Sequence, residues 1–159
     1  MSVTRNMLAM WRRPRQVVAH LLQGPEREDR ALIILMSACI LCFVAQWPPT
    51  ARTAHVEGLE LNPLLGGALL MWLFVVPLAL YVIAFVSRLI LRAFLPELSG
   101  YRARFVLFWA LLASAPVMLL SGLAVGFLGD VPGVQGIGIL WILSFIGFWF
   151  AGLMQAGRG

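Results

Sequence analysis

Charge is scarce in this chain. Asp, Glu, Lys and Arg make up 12% of the 159 residues against 61% apolar residues, and none of the charged ones is lysine. A soluble domain carries about 25% charge, so the composition excludes a water-soluble globule and specifies an integral membrane protein. Basic charge carried wholly by arginine, with abundant Ala, Gly and Leu, points to a GC-rich, bacterial coding bias. Cysteine is limited to Cys39 and Cys42, both inside one apolar run, so no disulfide framework is implied. Acidic and basic side chains are missing from the interior of every apolar run. Proton relays and ion pathways need such groups at depth, so their absence argues against a proton-coupled pump. It equally argues against an intramembrane aspartyl protease. His20 and His55 lie on either side of the first apolar run, too far apart to share a metal. No serine–histidine pair falls in one leaflet, so a rhomboid-type dyad has no basis. The expectation is a protein that is not an enzyme and has no cofactor, metal or catalytic residue.

What the chain does have is four long apolar runs divided by arginine. The runs predict spans at about 31–47, 64–87, 105–127 and 137–154. The first, at about 1.5 Å per residue, is long enough to cross a bilayer with anchors at its ends. Trp47-Pro48-Pro49 is expected to stop it, and the loop to Pro63 is short and mixed in charge. Pro77 should bend the long second span and Pro116 the third, by removing a backbone hydrogen bond. Each proline can be a moving hinge or a static kink. Gly129, Asp130, Pro132, Gly133 and Gly136 are expected to form the turn before the last span, with Asp130 and Glu97 as solvated turn residues.

The hinge between the second and third runs carries Arg88, Arg92, Arg102 and Arg104. Guanidinium groups stay in water or among headgroups, and arginine concentrated in a short loop marks the cytoplasmic side. Counted by side, the N-terminal segment, this hinge and the C-terminus hold six, four and one arginine; the two opposite loops hold one and none. Both termini are therefore expected in the cytoplasm, giving an all-α, four-span, N-in/C-in protein of the bacterial inner membrane. Because the arginines sit at the ends of apolar runs, the partner is anionic lipid and not nucleic acid, despite the net charge of +5.

Residues 1–30 form a basic cytoplasmic segment preceding the membrane domain, 31–156. On a helical wheel Met7, Met10, Trp11, Pro14, Val18, Leu21 and Leu22 share one side; Arg5, Arg12, Arg13, Gln16 and His20 share the other. This is the pattern of an amphipathic helix lying at the membrane interface, or of one packed on the cytoplasmic loops. Pro14 should break it and open a second piece. A secretory or lipoprotein signal does not fit: five apolar residues between Arg30 and Met36 are too few for an h-region. Candidates for gripping lipid headgroups are Arg12, Arg13, Arg15, Arg88, Arg92, Arg102 and Arg104; Arg88 and Arg92 share a helix face and also suffice as boundary markers.

Cys39-Ile40-Leu41-Cys42 has the spacing of quinone-linked disulfide-forming enzymes. Those enzymes need the pair near the outer surface and a second pair in the other outer loop, whereas this pair falls near mid-span. Buried packing is the competing reading. Ala110 with Ser114, Gly122 with Gly126, and Gly147 with Ala151 have helix-contact spacing, which serves either a bundle core or a dimer.

The segments MWRRPRQVVAHLL (10–22), RFVLFWALLASAPVMLLSGL (104–123) and LWILSFIGFWFAGLMQA (140–156), with the basic hinge between, resemble the bacterial branch of the Yip family of multi-span membrane proteins. The likeness covers most of residues 10–156. It implies mainly architecture. Eukaryotic members are Golgi and ER proteins that contact Rab-type GTPases in vesicle traffic through an N-terminal cytosolic domain, which has no counterpart in the thirty residues before the first run here. Family members commonly have five spans, and four are counted in this chain. The resemblance brings no catalytic residue. Together these readings point to a non-enzymatic scaffold or membrane-organising protein that contacts lipid, a membrane-protein partner or a second copy. The alternatives are a lipid or hydrophobic-solute transporter hinged at Pro77 and Pro116 and, more remotely, a thiol–quinone oxidoreductase.

Overall fold

A computed structural model describes residues 3–96 and 98–157. Glu97 and Arg158, both used in the reading above, lie outside the described residues. The elements are α1 (Val3–Met10), α2 (Pro14–Leu22), α3 (Glu28–Glu57), α4 (Leu61–Leu70), α5 (Val76–Leu91), α6 (Gly100–Leu128) and α7 (Pro132–Ala156). A single π-helical turn, Met71–Val75, joins α4 to α5. Among the described residues there is no strand. Four helices are long and apolar enough to cross a membrane: α3, the continuous Leu61–Leu91 helix, α6 and α7. The protein is thus an all-α, multi-pass membrane protein. Its α1–α2 segment and its α5–α6 hinge share one end, called here the basic end.

The first span does not stop at Trp47. α3 runs through Pro48 and Pro49 and ends at Gly58, whose φ of 67° closes the helix with its N–H on Ala54 O. Each proline removes an N–H from the ladder, so the carbonyls of Val44 and Ala45 lose their partners four residues on. The answer to Pro-Pro lies on α6. A Cβ built on Gly122 would lie 1.9 Å from Ala45 O, and one on Gly126 would lie 2.4 Å from Pro48 Cβ. Two glycines one turn apart therefore form a notch that receives the proline-bearing turn, with the α6 backbone against the freed carbonyl. Thr50 Oγ1 donates to Gln46 O at 2.7 Å and steadies the next turn. Gly122 and Gly126 are spent inside the chain, as a bundle core requires. By contrast Gly147 is exposed with nothing within 4 Å of a Cβ there.

The second span is one helix with a widened turn directly before Pro77: Val76 N–H reaches back five residues to Met71 O. Proline clashes with the carbonyl four residues earlier, and an extra residue in that turn supplies the slack. The last span begins earlier than expected. Pro132 is its first residue, so Gly133 and Gly136 lie within α7, and the turn is reduced to Gly129–Val131, with Gly129 at φ 83°.

α6 is the central element. Every residue from Phe105 to Ala115 is buried, with Phe105, Phe108 and Trp109 among the largest enclosed side chains. α3 meets it along Ala31, Leu35, Ala38, Cys39, Cys42 and Ala45. α7 approaches at Gly152, where a Cβ would meet Val106 Cγ1 at 2.4 Å. The α1–α2 pair breaks at Pro14 as expected, and its apolar side is seated on protein. Met10 and Val18 are enclosed against α6 and α7, and Trp11 meets Phe148 edge-on at 5.1 Å.

Candidate lipid-contact face

The arginines sort by what lies next to them. Three donate to carbonyls in the last turns of helices, where the backbone lacks its own partners and the dipole favours a cation. Arg30 Nη1 reaches Leu21 O of α2 at 3.3 Å, Arg102 Nη1 reaches Ala156 O of α7 at 3.2 Å, and Arg52 Nη1 reaches Gly126 O of α6 at 3.3 Å. Arg104 pairs with Glu28 in the first turn of α3. Arg102 and Arg104, expected in a loop, stand in the opening turns of α6, which begins at the Ser99 N-cap; Ser99 Oγ accepts the Arg102 N–H at 3.1 Å. Arg15 lies over α7, 3.9 Å from Met154 Sδ.

Arg27 is exposed but forks onto Asp29, which leaves two exposed groups without an ion pair at the basic end. The first is the α1–α2 elbow. The chain reverses at Trp11–Arg13, which brings Arg5 beside Arg12 and Arg13 around a shallow hollow that also includes Leu8 and Trp11. Leu8 is 74% exposed and Trp11 is 43% exposed. The guanidiniums of Arg5 and Arg12 have no partner among the described residues, and Arg13 touches Gln16 at the edge of hydrogen-bond range, 3.5 Å. Cations with an exposed indole and leucine between them are the composition of an interfacial lipid contact. Arg5 belongs to the polar face of the helical wheel, and the break at Pro14 is the signal in the sequence that brings it beside Arg12 and Arg13.

The second group is the α5–α6 hinge. Arg88 and Arg92 are exposed and unpaired among the described residues, and beside them Phe94 is 80% exposed. A Cβ on Gly100 would lie 3.3 Å from Arg88 Nη1 and 3.6 Å from Arg104 Nη1, so two guanidiniums converge on the start of α6. The seven candidates therefore divide. Arg12 and Arg13 form the elbow with Arg5, Arg88 and Arg92 remain open at the hinge, Arg102 and Arg104 are engaged within the bundle, and Arg15 is exposed with only the Met154 sulfur beside it.

The other groups weighed for chemistry are dispersed. Cys39 and Cys42 are both fully enclosed in the α3–α6 seam. His20 and His55 lie near the ends of α2 and α3, at opposite ends of the bundle. Among the described residues no three His, Cys, Asp or Glu side chains gather into a metal site. A cavity of 410 Å3 lies between α3, α6 and α7 at Gln46, Pro49, Ser121 and Trp141, away from Pro77. Compared with protein-family models, curated proteins and solved structures, the chain matches none.

Proposed function

We propose that this protein is a non-enzymatic, membrane-organising scaffold of the Yip type in a bacterial inner membrane, with both termini in the cytoplasm. It gathers anionic lipid, and through it a membrane partner or a second copy, on the basic face formed by the elbow and the hinge. The observation that carries the reading is the elbow: Arg5 and Arg12 unpaired among the described residues, with Trp11 and Leu8 exposed between them. Trp11 packs against Phe148 and is still 43% exposed, and an indole open beside cations suits the headgroup boundary. The arginine asymmetry supports the orientation. The enclosure of both thiols and the dispersal of the histidines support a non-enzymatic role.

Two experiments test this reading. Full-length protein with Arg5, Arg12 and Arg13 all changed to Gln should retain fewer anionic phospholipids on purification in mild detergent; an unchanged complement removes the elbow from the function. Reporter fusions after Pro96 and after Asp130 should land in opposite compartments, and recovery of both in one would overturn the layout.

A further inference from the structure

A cleft of 360 Å3 opens where α1 and the α2–α3 connector meet the first turns of α3, with Trp109 of α6 among its walls. Its rim is polar, with Arg27, Asp29 and Arg30, and beyond the rim it becomes apolar at Ile33, which is 65% exposed on the outer side of α3. Charge outside and hydrocarbon beyond is the order met on entering a bilayer from water.

The cleft also contains a polar group that the fold leaves unused. Asn6 is only 8% exposed, yet its side-chain amide makes no hydrogen bond among the described residues. Neither polar atom of that amide is among the fully enclosed unpaired ones, so what remains exposed of this largely buried side chain keeps the amide within reach of water or a ligand. Its helical neighbours Met7 and Met10 are apolar, and a third apolar residue would fill the place. The rim is held in place by contacts of its own. Arg27 forks onto Asp29, with Nη2–Oδ2 at 2.6 Å and Nε–Oδ1 at 3.2 Å. Arg30 is fixed by Leu21 O and by the Phe105 ring, 5.1 Å from its centroid, which leaves its remaining N–H groups unpaired. Two arginines against one aspartate give the lining a net charge of +1.

We propose that this cleft holds the headgroup of a single phospholipid. A singly charged phosphodiester balances the net cation and takes N–H groups from Arg30 and from the Asn6 amide. The acyl chains leave past Ile33 along α3. A hydroxyl or ammonium of the headgroup donates to Asp29, so glycerol and ethanolamine headgroups are favoured over choline, which has no donor. The site adjoins the elbow at Asn6, which also lines a smaller hollow with Arg5 and Arg13, but it shares no arginine with the elbow and requires only that the chain lie in a bilayer.

The test is native mass spectrometry of the full-length protein in mild detergent, titrated in turn with dioleoyl phosphatidylglycerol, phosphatidylethanolamine and phosphatidylcholine. One equivalent of either of the first two should be held about tenfold more tightly than phosphatidylcholine, the scale of one charge-assisted hydrogen bond. Asn6→Leu and Arg30→Gln should each lose the tight adduct, since both hold the phosphodiester, and Asp29→Asn should abolish the preference among headgroups. Asn6→Leu removes an amide that makes no hydrogen bond among the described residues, so its lipid-free Tm should hold while the adduct is lost, which separates lost binding from misfolding. Arg12→Gln should leave the single tight adduct in place, so failure of the elbow reading and failure of this one give different results. Equal retention of the three lipids, or an unaltered adduct in Asn6→Leu, overturns the proposal. Displacement of the lipid by inorganic phosphate at equal concentration also overturns it, by making the cleft a site for soluble anions.

Discussion

In α3 and α6, 39% of the most apolar stretch is buried within the protein, against 11% in the Leu61–Leu91 span, although that span is the more apolar, with mean hydropathy 2.6 against 2.1. In water the more apolar helix would be the more buried. In lipid the order reverses, because hydrocarbon solvates leucine as well as a protein core does, and contact is decided by how closely backbones can approach. The α3–α6 seam is accordingly built of Ala31, Ala38, Cys39, Cys42 and Ala45 against Ala110, Ala113, Ser114 and Gly122. The second span turns Leu78, Val82, Phe85 and Leu89 outward and buries only Leu80 and Ala84.

Gly122→Val should break this contrast most. Its side chain would have to occupy the position of Ala45 O, 1.9 Å from the built Cβ, and backbone cannot move aside as a flexible side chain can. The loss should reach about 3 kcal/mol, read as a large fall in Tm in detergent. Next, maleimide should leave Cys39 and Cys42 unlabelled in the folded protein while labelling Phe94→Cys at the exposed hinge; ready labelling of the native pair would show that the seam opens, and would revive the thiol–quinone reading. Arg102→Gln should cost about 1 kcal/mol through the lost cap on Ala156 O and the α7 dipole, visible as faster amide exchange in the last turn of α7. The smallest effect belongs to the second span. Nothing lies within 4 Å of a Cβ on Gly67, so Gly67→Ala should leave Tm unchanged or raise it by at most about 1 kcal/mol equivalent. A Gly67→Ala penalty comparable to that of Gly122→Val would mean that α4 has a partner helix at that face.

The differences between sequence and structure fall where local rules meet a neighbour. Trp47-Pro48-Pro49 has the composition of a stop, yet Gly122 and Gly126, more than seventy residues away, receive the proline turn and let α3 continue. Gly133 and Gly136 suggested a turn, but Pro132 is an effective first helical residue, and α7 starts there. The α1–α2 wheel correctly showed an apolar side and a break at Pro14. Whether that side met lipid or protein depended on the placement of Trp11 against Phe148, which no periodicity within residues 1–30 contains. Among the headgroup candidates, Arg102 and Arg104 look like Arg88 and Arg92 in sequence. They differ because Ala156 O and Glu28 happen to lie within reach of the first two.

The sequence alone determined that there are four spans and that arginine gathers at one end of them, since neither bare backbone nor a guanidinium can be left unsatisfied in hydrocarbon. Only the tertiary structure decided that α6 stands at the centre, that two glycines accommodate two prolines, and which arginines remain free. Those outcomes depend on distances between residues far apart in the chain, which composition and periodicity do not encode.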